Sequence, residues 1–251
     1  MKDMIPNIIE FSADQLIIDQ EHLKPIPSKL NIPDWYKELD HSVTESTIKV
    51  CMPFLDTLTT GYILKMPIDS YIAHNILNKN EKISKWENPE NYLPDETKDY
   101  ININTKGFSS YHPIKQVGEK CPFAKKNKGF PFLKILNPWV IKTPPGYSCL
   151  FLPPLNNSDD RFSIIPGIVD TDTFDLEINF PIIINGDKYP ILETIVKKGT
   201  PYVQVIPFKR DAWKLKIKTR DREKVKKHRF NFMSSLIHRY KTKWWTRKSW
   251  K

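Results

Sequence analysis

Six histidines (His22, His41, His74, His112, His228, His238) and three cysteines (Cys51, Cys121, Cys149) are the residues best suited to hold a transition metal or to act as nucleophile and base. Their spacing supports neither role. There is no H-x-H, H-x-D, H-E-x-x-H or C-x-x-C, so ligands would have to be gathered from distant segments, and no metal site is expected. Three widely separated cysteines also build no disulfide framework, which suits a reducing compartment, and the chain reads as cytoplasmic. With only 8 glycines and no G-x-x-x-x-G-K-[ST], G-x-G-x-x-G or G-x-S-x-G, a glycine-rich phosphate cradle and a nucleophile elbow are both excluded. The residues name no cofactor and no catalytic group.

Polar groups do collect at three turns. One is Thr143-Pro144-Pro145-Gly146-Tyr147-Ser148, running into the apolar Cys149-Leu150-Phe151. The second is Asp170-Thr171-Asp172-Thr173-Phe174, following Gly167. The third is Lys198-Gly199-Thr200-Pro201, with Gln204 on the strand beyond it. Tyr147, Ser148, Asp170, Asp172, Phe174 and Gln204 therefore form the candidate ligand-binding set, for a small molecule or a nucleotide. A plainer reading stands beside it: the aspartates and threonines cap a hairpin through side-chain to backbone hydrogen bonds, and Pro144-Pro145-Gly146 is a tight turn. Cys149 reads as a small buried hydrophobe, and His112 before Pro113 as structural.

Charge supplies the other functional signal. Residues 209–251 hold 17 Lys and Arg against Asp211, Asp221 and Glu223, about +14, whereas the remaining 208 residues hold 22 Lys and Arg against 26 acids, about −4. A mildly acidic body thus carries a strongly basic tail. Lys214, Lys216, Lys218, Arg222, Lys226 and Arg229, with Trp244, Trp245 and Trp250 interleaved, suit contact with a nucleic-acid backbone without base reading. The alternatives are a solvated helix face or attraction to an acidic protein surface, including the body of a neighbouring copy in a homo-oligomer.

The elements that must position these groups are mainly β. With 251 residues, 39% hydrophobic, and 21 prolines cutting the apolar runs short, strands are expected over 133–141, 149–152, 162–169, 176–184 and 202–208. The last is apolar on both sides except Gln204, as in a central strand. Trp213, Leu215 and Ile217 alternate with Lys214, Lys216 and Lys218, which predicts a lysine-guarded edge strand. Phe230, Met233, Ile237, Tyr240 and Trp244 recur every three or four residues. That spacing predicts an amphipathic helix from about 221 to 244, packing its apolar face on the body. The expected architecture is a single β-sandwich or β-clip-like barrel over 45–219, with an irregular N-terminal arm (1–44) and a basic C-terminal helix and tail (220–251). In the arm, Asp34 opens one short helix whose Trp35-Tyr36 pair docks on the body. Residues 78–102 read as a long loop or partly helical insertion. No secretory signal and no apolar stretch of membrane-spanning length is read, so no membrane contact is expected.

Two resemblances attach to these residues. The Pro-Pro-Gly-Tyr turn, the Gly-x-x-Asp-x-Asp with a following aromatic, and the Gly-x-x-x-x-Gln before an Ile-Pro ending resemble the central part of the trimeric dUTPase and dCTP deaminase superfamily, over about 65 residues. That resemblance implies sugar binding and water orientation by Asp170 or Asp172, stacking by Phe174, and Gln204 on the outgoing strand. The chain departs from the pattern where the family has Arg-Ser-Gly and this sequence has Pro153-Pro154-Leu155-Asn156. It also has an extra Thr173 and no glycine after Gly199, which argues against triphosphate hydrolysis by that mechanism. A more extensive similarity runs through Ile32-Pro33-Asp34-Trp35, Asn137-Pro138-Trp139, the 167–174 turn, Ile178-Asn179-Phe180-Pro181 and the stretch from Gly199 to Arg210. It is to a family of unknown function common in marine tailed phages and some bacteria, and it implies a phage-host setting, with the host cytoplasm as compartment, and no particular reaction.

Overall fold

The computed structural model describes residues 7–40, 47–78, 81–87, 112, 114–233 and 239–251. Among them the protein is mainly β, with thirteen strands in four antiparallel sheets. The strands are β1 (Glu10–Ser12), β2 (Ile26–Pro27), β3 (Tyr62–Lys65), β4 (Ser70–Asn75), β5 (Ile83–Glu87), β6 (Leu133–Ile135), β7 (Val140–Lys142), β8 (Tyr147–Leu152), β9 (Phe162–Ile164), β10 (Gly167–Val169), β11 (Phe180–Ile184), β12 (Ile191–Val196) and β13 (Pro201–Lys209). The helices are short: α1 (Gln15–Ile18), α2 (Asp34–Lys37), α3 (Met52–Thr59), α4 (Ile114–Val117), α5 (Pro122–Lys126), α6 (Arg222–Met233) and α7 (Arg239–Lys243).

A five-stranded sheet, ordered β10-β8-β13-β3-β2, forms the spine. The apolar 202–208 run is its central strand, as its two-sided hydrophobicity requires, with Tyr202, Val203 and Val205 at most 2% exposed. The sheet β6-β11-β9 packs against it: Phe180 of β11 meets Phe151 of β8 at 5.4 Å and Tyr202 of β13 edge-on at 5.8 Å. The third sheet, β12-β4-β5, adds Ile72 and Val196 to the same core, and β1 pairs with β7. The arrangement is sandwich-like, and none of the sheets among the described residues closes into the barrel alternative.

The N-terminal segment is built into this body. β1 and β2 pair with β7 and β3, Ile17 and Leu23 lie in the main core, and Tyr36 of the predicted Asp34 helix stacks on Phe54 at 5.8 Å. Four expectations change. The 162–169 run is two strands in different sheets, β9 and β10, with Pro166, which lacks a ladder donor, between them. The 133–141 run is two strands, because Pro138 removes a ladder donor and the buried Asn137 amide donates instead to the Trp139 carbonyl at 2.7 Å. The 176–184 run begins as a strand only at Phe180, and Leu176 is 63% exposed. Within the 78–102 stretch, residues 83–87 form β5 on β4, and most of the remainder lies outside the described residues.

The tail departs furthest from expectation. Residues 210–221 form no strand: Trp213, Leu215 and Ile217 are 84–90% exposed and pair with no sheet. Alternation predicts which side chains would share a face, but among the described residues the segment joins no sheet. The basic helix is present as α6, where the Asp221 carboxylate caps the amide of Lys224 at 3.0 Å. Its Phe230 is 74% exposed and does not pack on the body, residues 239–243 of the predicted helix form α7, and residues 234–238 between them lie outside the described residues.

Candidate functional site

β8 and β10 run antiparallel, which brings the 143–148 turn beside the 169–174 turn, and the end of β13 passes both as it pairs with β8. Gly146, at φ +83°, makes the left-handed corner that a side chain would strain. At this meeting point stands Arg210, a residue the pattern of turns did not single out. Its Nη1 donates to Asp172 Oδ1 at 2.8 Å, to Ser148 Oγ at 3.1 Å and to the Tyr147 carbonyl at 3.2 Å, and its Nη2 pairs with Asp172 Oδ2. Asp170 Oδ1 lies 3.1 Å from the same guanidinium and accepts the Ser148 hydroxyl at 2.6 Å. The Gly146 amide donates to Asp172 Oδ2 at 2.8 Å, and the Arg210 amide returns to the Gly146 carbonyl at 2.8 Å.

Two acids two residues apart would repel, and Arg210, forked onto Asp172 and within reach of Asp170, offsets that repulsion through geometry that lysine could not supply. The Arg210 hydrogen bonds and the Gly146 amide hold the Asp172 carboxyl down to about 2, and the same pairing pushes Arg210 further up. Beneath the ion pair lies a buried hydroxyl chain: Thr143 and Thr171 share a 2.7 Å hydrogen bond, and Thr171 Oγ1 donates to Cys149 Sγ at 3.4 Å. Cys149 is fully buried, as its apolar run implied, and burial pushes its thiol up to about 11, far from a nucleophile's range.

Of the six candidate ligand-binding residues, the structure brings Tyr147, Ser148, Asp170, Asp172 and Phe174 to one corner. Ser148 is fully buried and the Asp172 carboxylate is 6% exposed, so both are internal partners. Asp170, with its carboxylate 60% exposed, and Phe174, 39% exposed, face outward, and the Tyr147 hydroxyl accepts from Asn7 Nδ2 at 2.8 Å. Gln204 sits elsewhere. It pairs with Leu152, four residues along β13 from Phe208, the partner of Ser148. Its amide nitrogen donates to the carbonyls of Thr57 and Thr60 at 3.0 and 2.7 Å, and its oxygen accepts from the Leu155 amide at 2.9 Å. It ties α3 to the 153–156 turn and is spent in doing so.

A second concavity, about 160 Å³, opens between Pro153, Pro154, Asp159, Asp160, Phe162 and Tyr202. The turn pattern did not single it out, because its walls come from β9, β13 and the loop between β8 and β9. Asp159 is held low by Arg161 and Asp160 by Lys188 and Tyr189. Among the described residues no group of three or more His, Cys, Asp or Glu side chains is placed to hold a metal, and no helix is long and apolar enough to cross a membrane.

The predicted polyanion-binding cations lie on the tail. Lys214, Lys216, Lys218, Arg222, Lys226 and Arg229 are all exposed. Of these, Lys226 pairs with Glu223 at 3.0 Å. The tail's remaining acids are engaged too, Asp211 within 3.8 Å of Lys209 and Asp221 as helix cap. The chain matches no protein-family model, and no curated protein is similar to it at a significant level.

Proposed function

We propose that this is a non-catalytic binding protein whose C-terminal arm contacts the phosphate backbone of nucleic acid without reading bases. The observation that carries the reading is the exposure of residues 209–230, all at the surface except half-buried Val225, in a segment whose cations far outnumber its acids. Exposed Lys214, Lys216 and Lys218, followed by a cationic helix, displace condensed counterions from a polyanion. Exposed Trp213 and Phe230 supply faces for unpaired bases. The tailed-phage resemblance supports a phage-type protein acting in the host cytoplasm.

The test is a titration of labelled single- and double-stranded DNA of unrelated sequences across a salt series. Affinity should fall steeply and linearly in log-log form, alike for all sequences, and a chain ending at Lys209 should lose the binding. Absence of binding at low salt, or undiminished binding by the shortened chain, defeats the proposal.

A second reading, ligand binding at the Asp170 corner, is favoured by the outward exposure of Asp170 and Phe174 side by side in one turn. A deoxynucleotide at a hundred times its dissociation constant would then add about 2.7 kcal/mol of stability. Asp170→Asn should abolish that shift.

A further inference from the structure

The pocket between β9, β13 and the loop joining β8 to β9 has walls that are tied in place. Pro153, Pro154 and Pro201, with the rings of Phe162 and Tyr202, make its apolar lining. The loop is held by its Leu155 amide, which donates to the Gln204 side chain at 2.9 Å. Arg161, forked onto Asp159 at 2.9 and 2.8 Å, also donates to Thr194 Oγ1 at 2.8 Å. Lys188 and the Tyr189 hydroxyl fix Asp160 at 2.8 and 2.6 Å. The volume is about 160 Å³, that of about five waters in the liquid. A pocket held open in this way loses little to ordering when a compact ligand enters.

Its polar lining selects the ligand's charge. Asp159 and Asp160 are already neutralised by Arg161 and Lys188, which leaves the ammonium of Lys126, at the end of α5, as the charge in the lining without a counterion among the described residues. Lys126, Asn157 and Ser163 are half-buried, and their side chains enter no hydrogen bond or ion pair there. All three carry donors. Tyr202 adds a buried hydroxyl that has no hydrogen-bond partner. We propose that this pocket binds a small organic monocarboxylate, its carboxylate on Lys126, Ser163 and Asn157 and its hydrocarbon part against the prolines, Phe162 and Tyr202. Charged and hydroxyl donors fix the anion, and the apolar lining takes the body out of water. The two aspartates beside it disfavour a dianion such as phosphate by like-charge repulsion. The site is separate from the basic arm, so it stands or falls independently of the nucleic-acid contact.

The test is a heteronuclear NMR titration of the full chain with acetate, isobutyrate and benzoate, set against benzamide, benzylamine and inorganic phosphate. In the millimolar range isobutyrate or benzoate should shift the amides of Lys126, Asn157, Ser163 and Tyr202 saturably, and the neutral, cationic and dianionic probes should bind these positions far more weakly. Lys126→Gln should weaken the carboxylate by about tenfold or more, as expected for one lost charge-assisted hydrogen bond. If none of the three carboxylates shifts these amides, the proposal is overturned. Shifts confined to the basic residues 209–251 overturn it too, as does binding of benzamide, benzylamine or phosphate at the same amides as tight as that of benzoate. Undiminished binding by Lys126→Gln is equally fatal. Should that variant fail to fold, Ser163→Ala takes its place, with weaker carboxylate binding expected and unchanged binding counting against the site.

Discussion

At the scale of single residues, the decisive group is Arg210, which pairs with Asp172 and lies 3.1 Å from Asp170, clamping two turns to the start of the arm. Because the Asp172 carboxyl sits near 2 when folded and at 3.8 otherwise, its pairing stabilises the protein fully above about pH 4. That contribution is lost as pH falls from there toward 2. Asp172→Asn should therefore lower the urea midpoint at neutral pH and flatten the acid limb of a midpoint-against-pH curve. His74 works in a higher window. Burial, aided by Lys128, holds this 2%-exposed imidazole below its usual 6.5, with Nδ1 on Ser84 Oγ at 3.1 Å and Nε2 buried without a partner. A base whose folded value is depressed adds stability that is complete above 6.5 and lost as pH drops below it. His22 shifts the same way for the same leading cause, so His74→Gln should reduce, without abolishing, the fall in midpoint between pH 7 and pH 5. Gln204→Leu should cost roughly 2–3 kcal/mol in a chemical-denaturation experiment, since it strands a buried amide and two carbonyls.

At the scale of elements, the register of β3 on β13 depends on Gly61. Its φ is +74°, its carbonyl receives the Ser28 amide at 2.9 Å, and a Cβ placed there would lie 2.1 Å from the Val205 carbonyl oxygen. Gly61→Ala should therefore destabilise by on the order of 3–5 kcal/mol, against about 1 kcal/mol for Gly146→Ala, where φ is also positive but the space is open. Paired thermal melts of the two variants check the contrast. The central position of β13 was legible in the sequence, because a strand apolar on both faces has nowhere to go but the middle of a covered sheet. The 211–218 segment was misread for a related reason. Alternation reports which side chains share a face, and a strand further requires a neighbouring edge with unpaired donors and acceptors, which no local pattern encodes.

At the scale of the whole molecule, charge separation is the governing feature, with a net −4 body and a +14 arm on one chain. If the arm neutralises DNA phosphates, replacing Lys214, Lys216 and Lys218 together with alanine should reduce the salt slope of binding by about 2.7, near 0.9 for each lost contact, while leaving the melting temperature of the body unchanged. Fluorescence anisotropy across a salt series measures the first and calorimetry the second. These lysines are exposed, so a loss of stability would show that the arm packs where its exposure says it does not.

The amino-acid sequence alone determined the β character, the central strand, the burial of Cys149, the short helix at Asp34 and the asymmetry of charge. Each follows from local periodicity, capping or composition, which neighbouring residues carry by themselves. The two turns carrying Ser148, Asp170 and Asp172 could be singled out for the same reason, as polar clusters at proline and glycine corners. Only the tertiary structure decided what those groups do. Arg210 lies 38 residues from Asp172 and reaches it through the pairing of β13 with β8, and Gln204 is drawn to the opposite end of that strand by α3. Asp56 meets Trp245 across 189 residues of chain. Such partners are set by the long-range ladder and by the demand that every buried polar group find a mate, and neither is written in the spacing of near neighbours.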